Sequence, residues 1–286
     1  MRFAHVTRSP QTTPRLVIAR DDAFAFVDEL FDGAPSTLET LIAGGDDLLD
    51  RVRASDPREW HAWDGVAFAS AVLNPPVILA VGLNYAAHSG ELGLKTDATP
   101  TVFVLWPNSL THHDGTTTWP RALSESVDYE AELGVIIGRP AKDVAVEEAL
   151  DHVWGYTVVN DITARDIQFS EAQWSRCKSF DGFTPTGPYV VTADEIPDPQ
   201  ALHIWTVLDG RTLQDASTDQ MVRSVATLIA QLSRSATLLP GTLISTGSPG
   251  GAGYSRDPQV FLRDRSTVTV GIDGIGELTT HARITD

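Results

Sequence analysis

A mainly β chain with α elements (α+β) is the fold class that the sequence predicts. It divides into a small N-terminal α+β domain over residues 1–73 and a β-rich domain over residues 74–286. Three observations predict it. From about residue 75 onward the chain consists mostly of short β-branched stretches bounded by Gly, Pro or Asp. Only two helical stretches interrupt them, so strands and helices do not alternate as a doubly wound sheet requires. The segment "LNPP", residues 73–76, punctuates the chain between this region and what precedes it.

The elements follow in order. "RLVIA" and "AFAFV" are apolar runs separated by "RDD", which predicts a hairpin. "STLETLIAGGDDLLDRVRA" opens with a Ser or Thr cap and continues with apolar residues at helical spacing, interrupted by Gly-Gly. "VILAVGLNY" reads as a strand running into a loop. "TVFVL", "ELGVIIG", "GYTVVNDI", "GPYVV", "HIWTVLDG", "TLISTG" and "TVTVGIDGIGEL" read as strands, and "VEEALDHV" and "SVATLIAQLSRS" as helices. No internal repeat or low-complexity segment occurs.

Composition narrows the function classes. The chain has 286 residues and 42% hydrophobic residues, enough for a sizeable core. A formal net charge of −17 argues against nucleic-acid binding and against docking on an anionic membrane. Such a field repels anionic substrates, so any anion site needs local cations or a metal. The single cysteine, Cys177, rules out an internal disulfide and fits a reducing compartment. With no apolar leader and no membrane-length apolar run, a cytoplasmic protein is expected.

Three stretches carry chemistry. In "DYEAELGVIIG", Glu130 and Glu132 are two apart, so on a strand they share a face, and Asp128 can join them. Two carboxylates this close repel unless something compensates. An exposed strand end is one solution, a divalent cation another, and a nearby Arg or Lys a weaker third. "GYTVVNDITARDIQ" ends a second apolar strand in Asp161, a third carboxylate at a strand exit. Three oxygen ligands suit Mg²⁺ or Mn²⁺, with Ca²⁺ also compatible, and zinc ligand spacing is missing. In "VGLNYAAHSGELG", His88 and Glu91 are three apart and share a face of a helical turn. They form either a surface ion pair or a general-base pair in which Glu91 orients His88.

These stretches, with "QWSRCKSFDGFTPTGPYVV" and "STGSPGGAG", occur in an order that resembles the fumarylacetoacetate hydrolase family over roughly residues 75–285. The branch they resemble most is that of acylpyruvases and 2-hydroxyhepta-2,4-diene-1,7-dioate isomerases. The resemblance implies a mixed β-roll core, a small variable N-terminal domain and a homodimer. It implies one divalent cation on Glu130, Glu132 and Asp161, with His88 and Glu91 as the catalytic pair. It places Lys178, Arg165 and Gln168 around the substrate's oxygens. It sets Thr246 and Gly247 at the back of the pocket, where a backbone N–H can meet a carboxylate. The implied reaction is hydrolysis of a C–C bond in a β-dicarbonyl, acylpyruvate-like acid through a metal-stabilised enolate. Decarboxylation or isomerisation of a related keto acid uses the same enolate, and a weakly active or non-catalytic binder of a metal–carboxylate complex is the remaining alternative.

Two departures from the family pattern stand out. "FVLWP", residues 103–107, has Leu105 where a substrate-facing lysine is common, which predicts a preference for apolar tails. A fourth carboxylate found ahead of the histidine in fumarylacetoacetases is replaced by an apolar position near Val81. The histidines of "THHDG", residues 111–115, are expected at the surface.

Overall fold

A computed structural model describes residues 1–8, 12–91, 93 and 99–286. Two sheets carry the fold. The larger is mixed and runs, in hydrogen-bonded order, His61–Ala62, Ala23–Phe26, Arg15–Ala19, Arg2–Thr7, Val190–Thr192, Val153–Asn160, Ala131–Ile137, Leu243–Ser245, Ile78–Gly82 and Thr101–Leu105. The smaller runs Arg211–Ser217, His203–Leu208, Thr267–Ile272, Gly276–Thr285 and Gly115–Pro120. The strand Ala131–Ile137 is buried at every residue, as a central strand covered on both faces must be. One apolar cluster lies between the two sheets, with Val135, Val158, Ile204, Val270 and Leu278 in it.

The expected strands form. "TVTVGIDGIGEL" becomes a hairpin, with Ile272 facing Gly276. Three longer strands were not expected: Arg2–Thr7, and Gly115–Pro120 and Arg211–Ser217, whose stretches are too polar to signal themselves. The N-terminal hairpin forms with Val17 opposite Phe26. Gly-Gly splits the predicted helix into Leu38–Ala43 and Gly45–Arg53. Gly45 sits at φ +67, where a side chain is disfavoured. Thr37 caps the first helix, its hydroxyl accepting from the Thr40 amide at 3.2 Å.

One expectation changes. "VEEALDHV" is a 3₁₀ segment, Val146–His152. Val146 and Leu150, whose spacing suggested a buried helical stripe, are exposed, and only Ala149 is buried. With a single buried contact per element, nothing rewards the wider α-helical turn. Residues 1–73 also share their packing with the rest of the chain. Strand Arg2–Thr7 pairs with Val190–Thr192, and Phe3, Leu38 and Leu41 share a cluster with Ile78, Ile136 and Leu243. The segment extends the main sheet, and Ala4, Val6, Val17, Phe24 and Phe26 form a smaller cluster within it.

His5 shows how tightly this segment is joined. Its Nδ1 lies 3.2 Å from the carbonyl oxygens of Ser70 and Ala71. Its Nε2 accepts the first free helical N–H, that of Leu38, at 3.0 Å. Both bonds are satisfied only by the neutral ring protonated at Nδ1. Burial pulls the pKa of His5 below its ordinary value, against the opposing charge of Glu39. The unfolded state therefore binds the extra proton first, and stability is lost as pH falls below the unfolded value of about 6.5. We expect the urea midpoint to drop between pH 7.5 and 5.5, and His5→Gln to flatten that slope. An identical slope in the variant would show that His5 does not carry it.

Among the described residues no helix is long and apolar enough to cross a membrane.

Candidate active site

Antiparallel pairing brings the carboxylates together. Ala131 faces Asn160 and Glu132 faces Val159, so the start of one strand lies beside the end of its neighbour. The Asp161 amide donates to the Glu130 carbonyl at 2.9 Å, and the Glu130 amide donates to Asn160 Oδ1 at 3.1 Å. One oxygen each from Glu130, Glu132 and Asp161 falls within 4.8 Å of the others, and all three residues are buried.

Each carboxylate is aimed by its partners. Glu130 Oε1 accepts from Arg165 at 2.8 Å and lies 2.9 Å from His88 Nε2, while Oε2 accepts from Lys178 Nζ at 2.5 Å. Glu132 Oε2 accepts from the Ser245 hydroxyl at 2.6 Å and the Gly247 amide at 2.9 Å. Asp161 Oδ2 accepts from Lys178 at 2.5 Å. Asp161 Oδ1 is buried with no hydrogen-bond partner among the described residues.

The electrostatics follow from the imbalance of charge. Burial, with Asp161 and Glu130 beside it, pushes Glu132 up to about 8. Burial also pushes Asp161 up to about 6, with Lys178 opposing and Glu130 adding to the shift. Glu130 goes the other way: burial is outweighed by Arg165, Lys178 and His88, which hold it well below the carboxylate range. For His88, burial alone would lower the value, but Glu130 and Glu91 raise it to about 8. Burial likewise opposes the charge on Lys178 and Arg165, and the surrounding carboxylates raise both.

The donor set fits a hard divalent cation. Asp128, Glu130, Glu132 and Asp161 are buried carboxylates facing two buried permanent cations, Arg165 and Lys178. With His88 counted as imidazolium the four carboxylates still outnumber the cations, so a bound cation would offset the remaining negative charge, and the unpartnered Asp161 Oδ1 is an oxygen ready to be used. Glu130, Glu132 and Asp161 are the residues that would hold such an ion.

The other expected residues sort into those that meet the cavity and those that support it. His88, Gln168 and Lys178 line a cavity of about 10 Å³, room for about one water, with the three carboxylates, Val81, Gly82, Leu83, Phe103, Trp174 and Ser248. Arg165 does not line it. The guanidinium, wholly buried, is spent on Asp128 at 2.7 Å, Glu130 and Gln168 at 2.9 Å. Asp128 stands behind Arg165, its second oxygen taken by the Tyr254 amide.

Glu91 comes no closer than 3.9 Å to His88 Nδ1, which has no hydrogen-bond partner among the described residues. Its carboxylate instead accepts from the Gly251 amide at 3.0 Å and the Ser255 hydroxyl at 2.8 Å. The backbone groups expected to meet a substrate carboxylate are occupied: the Gly247 N–H by Glu132, and the Thr246 N–H by the Leu133 carbonyl at 3.1 Å.

Leu105 needs correction. It is buried in the cluster of Ile78 and Leu243 and does not line the cavity. Phe103, two residues earlier on the same face of that strand, does. The alternation was legible, but which of two same-face residues reaches the cavity depends on where the neighbouring strand ends. Trp174 was missed because an aromatic residue in an irregular segment has no periodicity to signal it. Of the "THHDG" histidines, His113 packs edge-on against Phe68, and neither His112 nor His113 lines the cavity.

The chain is similar to known proteins. A family profile described as "Fumarylacetoacetate (FAA) hydrolase C-terminal" matches residues 77–283. A Burkholderia ambifaria protein provisionally named a hydrolase is 43% identical over 232 residues, which is 80% of this chain and 82% of that one. The solved structure of a fumarylacetoacetate hydrolase from Exiguobacterium antarcticum is 32% identical with a TM-score of 0.86, both chains covered in full. A maleylpyruvate hydrolase from a Sphingobium species, solved with manganese(II) and pyruvate, is 25% identical with a TM-score of 0.83, again over both full chains.

Proposed function

The chain belongs to the fumarylacetoacetate hydrolase family, and from that premise we propose that it hydrolyses a C–C bond in an acylpyruvate-like β-dicarbonyl acid with one divalent cation, Mg²⁺ or Mn²⁺. The observation that carries this reading is the buried trio Glu130, Glu132 and Asp161 beside His88, with one of its oxygens unpartnered. When bound there, a divalent cation supplies Lewis-acid polarisation of substrate oxygens.

The chain's own residues do the rest. Lys178, tied to Glu130, Asp161 and Thr163, fixes the aim of two carboxylates and presents a charge to the cavity. Gln168 is held by Arg165 at its carbonyl oxygen, which leaves its amide N–H groups to donate to a substrate oxygen. His88 sits between Glu130 and Glu91, an environment that stabilises imidazolium and so favours removal of a proton from water. The hydroxide equivalent adds to the distal carbonyl; the C–C bond then breaks with its electron pair leaving as the enolate of the pyruvate half, the proton held on His88 converts that enolate to the ketone, and the distal acyl group departs as a carboxylic acid. The same proposal includes a homodimer: the edge strand Thr101–Leu105 and the residue after it leave Val102, Val104 and Trp106 exposed, an apolar stripe that self-association would cover.

Isomerisation is the second reading, favoured by the solved structure of a 2-hydroxyhepta-2,4-diene-1,7-dioate isomerase from Mycobacterium marinum, 30% identical with a TM-score of 0.76. Turnover of acylpyruvates, oxaloacetate and hydroxymuconates with Mg²⁺ or Mn²⁺ separates the reactions. The cation is tested by calorimetry with Mn²⁺. Glu132→Gln keeps the shape and removes a charge, and Mn²⁺ affinity should fall by at least about tenfold. An unchanged affinity would remove Glu132 from the ligand set.

A further inference from the structure

Beside its charged residues the cavity has an apolar side. Its wall is Val81, Leu83, Phe103 and Trp174. Trp174 meets Phe103 nearly edge-on, ring centroids 5.6 Å apart at 70°. It also lies over Gly82 so closely that a Cβ there would stand 2.4 Å from the indole Cζ3. Gly82 has no left-handed backbone, so glycine serves here to leave room for the ring. The next residue, Leu83, lies at φ +58, a conformation that bulky residues rarely adopt, and it lines the cavity. A strained backbone that delivers an aliphatic side chain to a cavity points to a role for that side chain.

The charges point the same way. Lys178 is the one lysine or arginine among the described lining residues, and its three donors go to Glu130, Asp161 and Thr163. Arg165 is committed to Asp128, Glu130 and Gln168. His88 faces Glu130. A second carboxylate on the substrate would therefore be desolvated against aromatic and aliphatic carbon, with no uncommitted cation among the described lining residues to meet it.

We propose that Trp174, seated on Gly82 and flanked by Phe103 and Leu83, is the specificity-determining wall of this site: the space enclosed beside it is about one water in size, close to that of a methyl group, so a short uncharged tail is accepted there and long tails and a second carboxylate are rejected. This deepens the keto-acid reading above and rests on it. Shortening the wall by an indole frees space for several methylenes, and each methylene in an apolar pocket changes specificity by about 10–200-fold.

The test measures kcat/KM of the Mn²⁺-loaded protein for acylpyruvates with methyl, propyl, pentyl and terminally carboxylated tails. The parent should favour the methyl tail and discriminate against the carboxylated one. Trp174→Ala should move the optimum to propyl or pentyl by at least about tenfold relative to methyl, and Trp174→Phe should fall between. Trp174→Phe decides the matter if the alanine variant does not fold. A folded variant that keeps the parent's length profile, or a parent that prefers the carboxylated tail, overturns the proposal. If no acylpyruvate is hydrolysed, the hydrolase reading fails by itself. The wall is then judged by calorimetry of pyruvate, 2-oxohexanoate and 2-oxoglutarate binding to the Mn²⁺-loaded parent and variants. The same order of preference and the same shift sustain it, and indifference to tail overturns it.

Discussion

His88→Gln is expected to lower kcat for a hydrolysed acylpyruvate by about 10²–10⁴-fold, the range for a lost general base. The geometry explains why the loss should fall on the chemical step. His88 reaches Glu130 Oε1 at 2.9 Å through Nε2 and has Glu91 3.9 Å from Nδ1. An imidazole flanked by two carboxylates can take a proton and hold the resulting charge. Glutamine can still donate a hydrogen bond to Glu130 but cannot take the proton. Mn²⁺ affinity should change by less than about tenfold, because Glu130 keeps Arg165 and Lys178 and glutamine replaces the histidine's hydrogen bond, whereas an outer partner lost outright costs about 10–100-fold. Parallel stopped-flow and calorimetric measurements check both statements. Hydrolysis at the parent rate would remove His88 from the role of base, and survival of decarboxylation alone would favour that chemistry over hydrolysis.

Arg165→Met is expected to cost about 3–5 kcal/mol of folding stability, the penalty for stripping a buried carboxylate of its partner. Arg165 is wholly buried, and so is Asp128, to which it donates from Nε at 2.7 Å. Its other donors go to Glu130 and Gln168. Methionine fills much of the volume but offers no donor, so Asp128 keeps only the Tyr254 amide. Against a typical total of about 5–15 kcal/mol this is a large share. Urea unfolding with the slope held common to both proteins measures it. A loss below about 1 kcal/mol would mean that the site relaxes around the missing guanidinium.

Much of the site was legible along the chain because it obeys local rules. Glu130 and Glu132 share a face since strand residues repeat every two, and Asp161 stands at the exit of a strand whose apolar run is plain. The hairpin, the capped helix and its Gly-Gly break were legible for the same reason: each depends on neighbours within a few residues. Arg165 and Leu105 were misjudged because a residue type shows what a side chain can do, not which partner is nearest. Arg165 serves the protein's own carboxylates, and Leu105 serves the core. The Gly247 N–H, similarly, meets Glu132 rather than a substrate group.

What the sequence determined by itself is the β-rich α+β class, the family to which the chain belongs and the carboxylate pattern at two strand ends, all of them set by periodicity, order and residue chemistry. What only the tertiary structure decided is the pairing that brings Asp161 onto Glu130, the two cations that leave the trio short of positive charge, and the ring of Trp174 on Gly82. The physical reason is range. A strand or a cap is stabilised by groups a few residues apart, whereas a buried cluster of charges balances only when residues 17 to 48 positions apart, such as Lys178 with Asp161 and with Glu130, are held within hydrogen-bond distance.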